Sequence, residues 1–243
     1  MTPQTIKDLQ EDLIALGLLP KGQNDGAWGP KSQAAWNSAV SLLKKGGQPA
    51  PVTDTGAVQY DIAWSGSKNV NDAFVAKVKE IATKLLLPMN DNAGAGWLMS
   101  CMAFETGETF SPSIQNGAGA QAYGLIQFMK GAASDMGVTL DQLKVMTALQ
   151  QLDYVYLYFK RFTGKITSLD DVYLAIFYPA AMGKPDSTVL FYRDLAKTSL
   201  AYKQNSGLDL NKDGQITVAE ICSIIRSKHA KGLRPEYRKV IKG

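Results

Sequence analysis

Apolar residues recur at helical spacing along most of this chain, whereas the strict alternation typical of strands is scarce. The first helix is predicted after Thr2, with Pro3 at its first position, and the second begins at Pro30. Further helical patterns cover 71–87, 93–105, 126–136, 147–162, 169–177, 190–202 and 218–231. The predicted fold class is mainly α, with room for a small hairpin between Phe110 and Leu125.

The pattern divides the chain into a small and a large part. Residues 1–45 carry two helical patterns and form a small N-terminal module, whose core is thin. Residues 46–60 are rich in Gly, Pro and Thr without a period, which is typical of a linker. Residues 61–243 are long enough for one substantial domain.

Composition narrows the class of protein. Hydrophobic residues make up 45% of the chain, as in ordinary globular proteins, and no apolar run approaches the length of a membrane span. The N-terminal residues lack the pattern of a secretory signal, so we expect synthesis in a host cytoplasm without export by that route. Cys101 and Cys222 both lie in apolar helical patterns, which favours two buried free thiols.

The net charge of +4 is unevenly distributed. The C-terminal tail, residues 225–243, has a net charge of +6, from one acid and seven basic residues: Arg226, Lys228, Lys231, Arg234, Arg238, Lys239 and Lys242. Such a tail is either a solvated helix face or a contact for an anionic partner, such as a wall polymer or an outer-membrane surface. No nucleic-acid-binding module is recognisable, and apart from Tyr237 no aromatic residue is interleaved with these charges.

A first motif lies in the N-terminal module. Its matching positions are Leu9, Gln10, Leu13, Leu16, Gly17, Asp25, Gly26, Trp28, Gly29 and Ser32. The segment resembles the peptidoglycan-binding domain type 1 family, which pairs an LQ..L..LG helix with a DG.(F/W)G loop. The resemblance implies a module that binds the bacterial wall and concentrates a tethered enzyme there. Trp28 either closes the small core or presents its ring to a sugar.

A second motif surrounds Glu105. The apolar run before it places this carboxyl group beside buried surface, which disfavours its ionised form and should raise its pKa. A carboxylic acid that keeps its proton near neutral pH can donate that proton to a glycosidic oxygen. Gly107 then breaks the helix and opens space for a substrate.

The residues that follow carry a resemblance. ETGETFSPSIQN at 105–116, AYGLIQFM at 122–129 and a small Ala-rich helix occur in order, with Thr106, Phe110 and Pro112 in the first element. Together they resemble the lytic transglycosylase (SLT) family. The resemblance implies a lysozyme-like α(+β) fold and cleavage of the glycan between N-acetylmuramic acid and N-acetylglucosamine in peptidoglycan.

The resemblance also assigns roles. Glu105 matches the catalytic acid/base, and Gln127 matches the glutamine that lines the sugar cleft. Asn116 stands where the family usually has a serine that holds the muramic acid. IFYPAAMG at 176–183 replaces the later AYNAG motif, so Tyr178 keeps the aromatic hydroxyl while Pro179 removes the asparagine, as in phage-encoded variants.

The carboxylate count leaves two mechanisms open. A lytic transglycosylase works with Glu105 alone and forms 1,6-anhydromuramic acid ends. A hydrolysing muramidase, resembling goose-type lysozymes, needs a second carboxylate, for which Glu108 is the first candidate and Asp135 and Asp153 are weaker ones. Glu108 is otherwise a substrate-binding or plainly exposed loop residue.

A third motif, DLNKDGQITVAE at 209–220, meets the EF-hand pattern in full. The oxygen ligands would be Asp209, Asn211, Asp213, the Gln215 carbonyl, Thr217 and Glu220. No second such loop pairs with it, which favours a structural Ca²⁺ site over a calcium sensor. The alternative is a metal-free loop whose side chains cap the following helix.

His229 is the only histidine, so zinc-dependent hydrolases lack their ligands, and a Ser-His or Cys-His hydrolase has little support in the sequence. No organic cofactor is expected. The interpretation is a peptidoglycan-cleaving enzyme, either a phage endolysin or a virion-associated lysin. The alternatives are an inactive wall-binding virion protein and a chitinase-like glycosidase.

Overall fold

The computed structural model describes residues 3–15, 18–20, 22–44, 59–115 and 121–241. The chain forms two compact units, residues 1–58 and 59–243. The predicted mainly α class is confirmed. Among the described residues, no helix combines the length and apolar character of a membrane-spanning segment. Most of the predicted linker lies outside the described residues.

A buried glutamine organises the N-terminal unit. Its two helices are α1 (Pro3–Ala15) and α2 (Pro30–Lys44). Gln10 on α1 is 1% exposed, and its Nε2 donates to Asp25 Oδ1 at 2.9 Å and to Ser32 Oγ at 3.0 Å. Because the Gln10 Oε1 also accepts the Gly26 N–H at 2.9 Å, one amide ties the loop to both helices. Trp28 packs partly buried against the small core.

One central helix organises the C-terminal unit. Its helices are α3 (Asp72–Lys84), α4 (Ala93–Glu105), α5 (Lys130–Asp135), α6 (Leu140–Val145), α7 (Ala148–Lys160), α8 (Leu169–Phe177), α9 (Ser199–Gln204) and α10 (Val218–Gly232). Helix α4 is apolar on all sides and packs against α3, α8 and α10. Because other helices surround α4, the residues at its C-terminal end lie beside the core.

The strands form three antiparallel pairs. β1 (Gln59–Tyr60) pairs with β6 (Val240–Ile241), so the two ends of the unit meet. β2 (Ala122–Tyr123) pairs with β3 (Phe128–Met129), and β4 (Val189–Tyr192) pairs with β5 (Gln215–Thr217).

Two predicted helices are wrong in part. The helix predicted over 190–202 is a strand at its start, because Phe191 pairs with the buried Ile216 of the acidic loop, and only 199–204 is helical. The helix predicted from Ile126 begins at Lys130, because the tight β2–β3 turn occupies the preceding residues. The observed hairpin spans 122–129, so only its first strand lies within the predicted range of Phe110 to Leu125.

The basic tail is an integral part of the fold. Arg226 pairs with Asp170 and with Asp186, the latter at 2.7 Å. Lys228 and Lys231 pair with Glu108. Lys239 pairs with Asp72, and Arg238 donates to backbone carbonyls of residues 60 and 61. Most of the positive charge in the tail is therefore compensated within the unit, which weakens its interpretation as a contact for an anionic surface.

The cysteines behave as predicted. Cys101 on α4 and Cys222 on α10 are both buried, and both are free thiols. Burial raises the pKa of each thiol above its ordinary range.

Candidate active site

Glu105 is the last residue of α4 and lies at the edge of the core. Burial raises the pKa of this carboxyl group from 4.5 to about 7, and burial is the only resolved cause. Within the described residues, the carboxyl group has no hydrogen-bond or ion-pair partner. The predicted rise in its pKa is thus confirmed, and a large fraction of Glu105 carries a proton at neutral pH.

The helix stops at Glu105 because the next residues form a tight turn. The buried Thr106 caps α4, and its Oγ1 donates to the Met102 carbonyl at 2.7 Å and accepts the Phe110 N–H at 3.0 Å. Gly107, Glu108 and Phe110 all have positive φ, of +57°, +70° and +50°. The left-handed conformation is uncommon for residues other than glycine and is often found at functional sites.

Two tyrosines that the sequence analysis missed lie near Glu105. Tyr173 on α8 packs its ring edge-on to Phe104 at 5.4 Å and stacks on Phe177 at 5.9 Å. Burial, and secondarily the charge of Glu105, raises the pKa of Tyr173. Burial also raises the pKa of Tyr158 on α7, with a smaller contribution from Glu105. Aromatic residues at helical spacing resemble core residues, so only the tertiary structure relates them to the acid.

Tyr178, which the resemblance places near the acid, lies just after α8, and its nearness to Glu105 stays a prediction. It follows the last residue of α8, is 39% exposed, and contacts Phe191 edge-on at 5.4 Å. In the described structure its ring contact is therefore with β4, whereas the phenols whose pKa the charge of Glu105 raises are Tyr173 and Tyr158.

Gln127 offers an unused acceptor. It adopts a left-handed conformation, with φ of +51°, inside the β2–β3 turn. Its Nε2 donates to the Gly124 carbonyl at 3.1 Å and to the Ile114 carbonyl at 3.3 Å. Its Oε1 is buried and has no partner among the described residues. An unpaired buried acceptor on a strained residue is typical of a ligand-binding position. Asn116 lies outside the described residues.

A second buried glutamine fixes this turn from below. Gln151 on α7 is fully buried, and its Oε1 accepts the Leu125 N–H at 3.1 Å. Its Nε2 donates to the carbonyls of Pro112 at 2.6 Å and Leu143 at 2.7 Å. A Cβ on Gly124 would overlap this amide, so glycine is required there. Gln151 thus ties the segment after Glu105 to the turn that carries Gln127.

The candidates for a second carboxylate are engaged elsewhere or exposed. Glu108 pairs with Lys228 at 2.6 Å and with Lys231 at 2.8 Å. Burial would raise the pKa of Glu108, but the two lysines outweigh it and hold the pKa below its ordinary value. Asp153 pairs with Lys77 at 2.5 Å, and Asp135 is an exposed residue at the end of α5.

The acidic loop at 209–220 folds around its own side chains. Asp209 Oδ2 accepts the Gly214 N–H at 2.9 Å and the Tyr202 hydroxyl at 2.6 Å, while its Oδ1 accepts the Asp213 N–H at 3.2 Å. Asn211 Oδ1 accepts the Asp213 N–H at 2.9 Å, and Asp213 Oδ1 in turn accepts the backbone N–H of residue 215 at 2.8 Å. These bonds keep the first half of the loop tightly curved.

The second half of the loop begins α10. Glu220 Oε2 accepts the N–H of Thr217 at 2.9 Å and its hydroxyl at 2.8 Å, forming a capping box. Glu220 Oε1 accepts the Leu210 N–H at 3.0 Å, which closes the loop. Gln215 lies in β5, which pairs with β4 instead of a second loop of the same kind.

The loop fits Ca²⁺ in donor chemistry and in backbone conformation. Its side chains offer oxygen atoms, and Lys212 and Gly214 have the left-handed conformation that a sharply turned loop needs. In the part of the chain that the structure describes, however, no three acidic, His or Cys side chains converge closely enough to hold a metal. Binding would therefore require Asp209, Asp213 and Glu220 to draw together.

His229 has a structural role. Its Nδ1 lies 2.8 Å from Ser100 Oγ, which itself donates to the Gly96 carbonyl. Burial, with a smaller contribution from Arg238, lowers the pKa of His229 to about 4, so the imidazole is neutral. The pair joins α4 to α10.

Comparison of the chain with models of known protein families gives no match, and comparison with curated proteins gives none either.

Proposed function

We propose that this protein cleaves the glycan strands of bacterial peptidoglycan, with Glu105 as the general acid. The observation that carries the proposal is the state of Glu105: a partly buried carboxyl group without a partner among the described residues, whose pKa is about 7. The acceptor of Gln127 and the sequence resemblance of 105–129 to lytic transglycosylases support it. A lysozyme-like fold of residues 59–243 is part of the same proposal.

The chemistry needs one carboxyl group. Glu105 donates its proton to the glycosidic oxygen as the C1–O bond breaks, and the N-acetyl group of the substrate stabilises the cationic sugar. The ionised Glu105 then takes the proton of the 6-hydroxyl group as O6 bonds to C1. The proton returns to Glu105, a 1,6-anhydro ring forms, and no water is consumed.

The surroundings of the other acids favour this reaction over hydrolysis. A second carboxylate in a retaining or inverting glycosidase must face the sugar or a water. Glu108 instead accepts from two ammonium groups, and Asp153 pairs with Lys77. Glu105 is therefore the one reacting carboxylate that we propose. A hydrolysing muramidase is the alternative result of the experiment below.

Two further roles belong to the proposal. The N-terminal unit binds the wall. Its loop carries the motif that resembles wall-binding modules, and hydrogen bonds from the Gln10 side chain to Asp25 and Gly26 order that loop. The acidic loop binds a structural Ca²⁺ through the oxygen atoms of Asp209, Asn211, Asp213, Gln215, Thr217 and Glu220. The ion would supply charge that holds these oxygens together beside α10.

Mass spectrometry of fragments released from purified peptidoglycan tests the function. Lytic transglycosylation gives fragments one water lighter than hydrolysis products, and they resist borohydride reduction. Glu105→Gln, which cannot supply the proton, should reduce the release rate by about 10²–10⁴-fold. Glu80→Gln makes the same change at an exposed residue and should leave the rate unchanged.

The outcomes separate the alternatives. Reducible muramic acid ends would make the protein a muramidase. Release by Glu105→Gln at the wild-type rate would exclude Glu105 as the acid. The absence of fragments from the folded wild-type protein would leave a wall-binding protein without activity, and fragments from chitin alone would indicate a chitinase-like enzyme.

A further inference from the structure

The turn after α4 is held in a conformation that its residues do not favour. Glu108 and Phe110 are not glycines, yet both have positive φ, next to Gly107. Such a turn persists only when several contacts define it. Three are made by the backbone: the Glu108 N–H donates to the Ala103 carbonyl at 2.6 Å, the Phe110 N–H donates to Thr106 Oγ1 at 3.0 Å, and the Thr109 carbonyl accepts from Asn69 Nδ2 at 2.8 Å.

The fourth contact is made by the Glu108 side chain. Its Oε1 accepts from Lys228 Nζ at 2.6 Å and from Lys231 Nζ at 2.8 Å, and its Oε2 accepts from Lys231 Nζ at 3.0 Å. All three side chains are at least two-thirds buried. Both lysines lie over the ring of Trp64 at 5.8 Å, which fixes them from the other side.

This ion pair joins two packed helices at the site. Lys228 and Lys231 lie on α10, the helix that makes the most extensive contact with α4. Glu108 lies three residues after Glu105, which ends α4. Because both carboxylate oxygens of Glu108 are occupied, the side chain is bound to the scaffold and is not free to meet a sugar.

We propose that Glu108 is a positioning residue: its ion pair with Lys228 and Lys231 fixes the left-handed turn after α4 and thereby holds the Glu105 carboxyl group against the substrate. The inference rests on the proposed function and gives Glu108 a role other than second carboxylate or sugar ligand. Displacement of a reacting group by about 1 Å can lower a rate by about 10²-fold, so a loosened turn should affect kcat.

The first experiment measures fragment release by Glu108→Gln in the full chain. We expect kcat to fall at least tenfold, with KM within about twofold of wild type, because the substrate does not contact Glu108. The alkaline limb of the pH profile should not move, since the pKa of Glu105 is set by burial. Asp61→Asn is the matched control, because it breaks a comparably buried pair with Lys79 outside this turn.

A charge exchange separates position from chemistry. Glu108→Lys combined with Lys228→Glu keeps one carboxylate between two ammonium groups, and we expect it to recover most of the kcat that Glu108→Lys alone loses. No recovery, together with reducible products from the wild type, would show that Glu108 reacts and would overturn the inference. An unchanged kcat for Glu108→Gln would also overturn it.

Amide hydrogen exchange tests the same contact without activity. In Glu108→Gln, the backbone N–H groups at positions 108 and 110 should exchange at least tenfold faster than in the wild type, while those of α3 stay unchanged. Unchanged exchange at 106–110 would overturn the inference. If the wild-type protein releases no fragments, the proposed function fails, whereas the exchange result still decides whether Glu108 fixes the turn.

Discussion

The end of α4 together with the turn that follows it, residues 104–110, and the acidic loop at 209–220 are built from similar parts, but the hydrogen bonding of their carboxylates differs. Both bend the chain through residues in the left-handed conformation. The first lies at the end of α4, and the second leads into α10. In the loop, Asp209 and Glu220 each accept backbone N–H groups of the loop itself. In the turn, Glu105 accepts none among the described residues, and its pKa rises to about 7.

Under the proposed function, the difference accounts for the assignment of Glu105 as the reacting acid. Buried polar groups are almost always hydrogen-bonded, so an unpaired carboxyl group lowers stability and is retained where a proton must move. A carboxylate saturated with N–H donors stabilises the fold or waits for a cation. Glu108 belongs to the hydrogen-bonded class although it lies only three residues from Glu105. Its carboxylate accepts from two lysines.

The largest expected effect on stability is at Glu105. A carboxyl group with a folded pKa of about 7 and an ordinary unfolded pKa near 4.5 lowers stability as pH rises between these values, by up to roughly 3 kcal/mol above pH 7. Well below pH 4.5 both states are protonated and this loss is absent. Glu105→Gln lacks the loss, so its stability relative to wild type should increase by about 2.5 kcal/mol between pH 5 and pH 8.

Urea unfolding at the two pH values measures this difference. Glu80→Gln is the control, since Glu80 lies exposed beside Lys84, and its difference from wild type should hardly depend on pH. A pH-independent difference for Glu105→Gln would mean that Glu105 is solvated in the folded protein. The contrast between Glu105 and the hydrogen-bonded carboxylates of the loop would then no longer hold.

In the acidic loop, removal of a carboxylate should lower stability, whereas at Glu105 it should raise stability. Asp209→Ala removes the acceptor of three donors, from Asp213, Gly214 and Tyr202, and should lower the free energy of unfolding by about 2 kcal/mol in the absence of calcium. If the loop binds Ca²⁺ as we propose, the variant should also lack the stabilisation of about 2.7 kcal/mol that is expected for the wild type at 100 times the Kd.

Thermal unfolding with and without Ca²⁺ measures both effects, and Asp141→Ala, in the first turn of α6, is an exposed control. If Ca²⁺ leaves the wild-type Tm unchanged at millimolar concentration, the loop is a metal-free cap for α10. In that case Glu105 would remain the proposed proton donor, and the carboxylates of the loop would serve only as hydrogen-bond acceptors that stabilise the fold.

Local features of this comparison could be predicted from the sequence. The apolar run before Glu105 predicts both the helix 93–105, with the bounds observed, and the raised pKa. The acidic loop is recognisable because the residues whose oxygen atoms could bind Ca²⁺ follow a fixed spacing within twelve residues. Such signals are carried by neighbours in the chain, and hydrophobic period and turn chemistry describe them well.

Contacts between distant segments could not be predicted. Glu108 and Lys228 are separated by 120 residues, so the sequence left Glu108 as a candidate second carboxylate and the lysines as part of a free basic tail. The pairing of β4 with β5 likewise turned a predicted helix into a strand, because tertiary contact overrides local propensity. Tyr173 was missed for the same reason.

The smallest effect compares glycine in the two segments. Gly107 and Gly214 both have positive φ, of +57° and +86°. A Cβ on Gly107 would meet no atom within 4 Å, whereas one on Gly214 would lie 3.1 Å from the flexible guanidinium group of Arg193. Replacement by alanine should therefore lower stability by about 1 kcal/mol at Gly107 and slightly more at Gly214, mainly through backbone strain.

The two replacements should nevertheless differ in function. Gly107→Ala alters the turn that positions Glu105, so the rate of fragment release per folded molecule should fall several-fold. Gly214→Ala alters a loop that carries no reacting group, so its rate should equal that of the wild type when Ca²⁺ is absent from both assays. Equal rates for the two variants at equal loss of stability would show that the turn after α4 tolerates movement. The position of Glu105 would then depend on the packing of α4 alone.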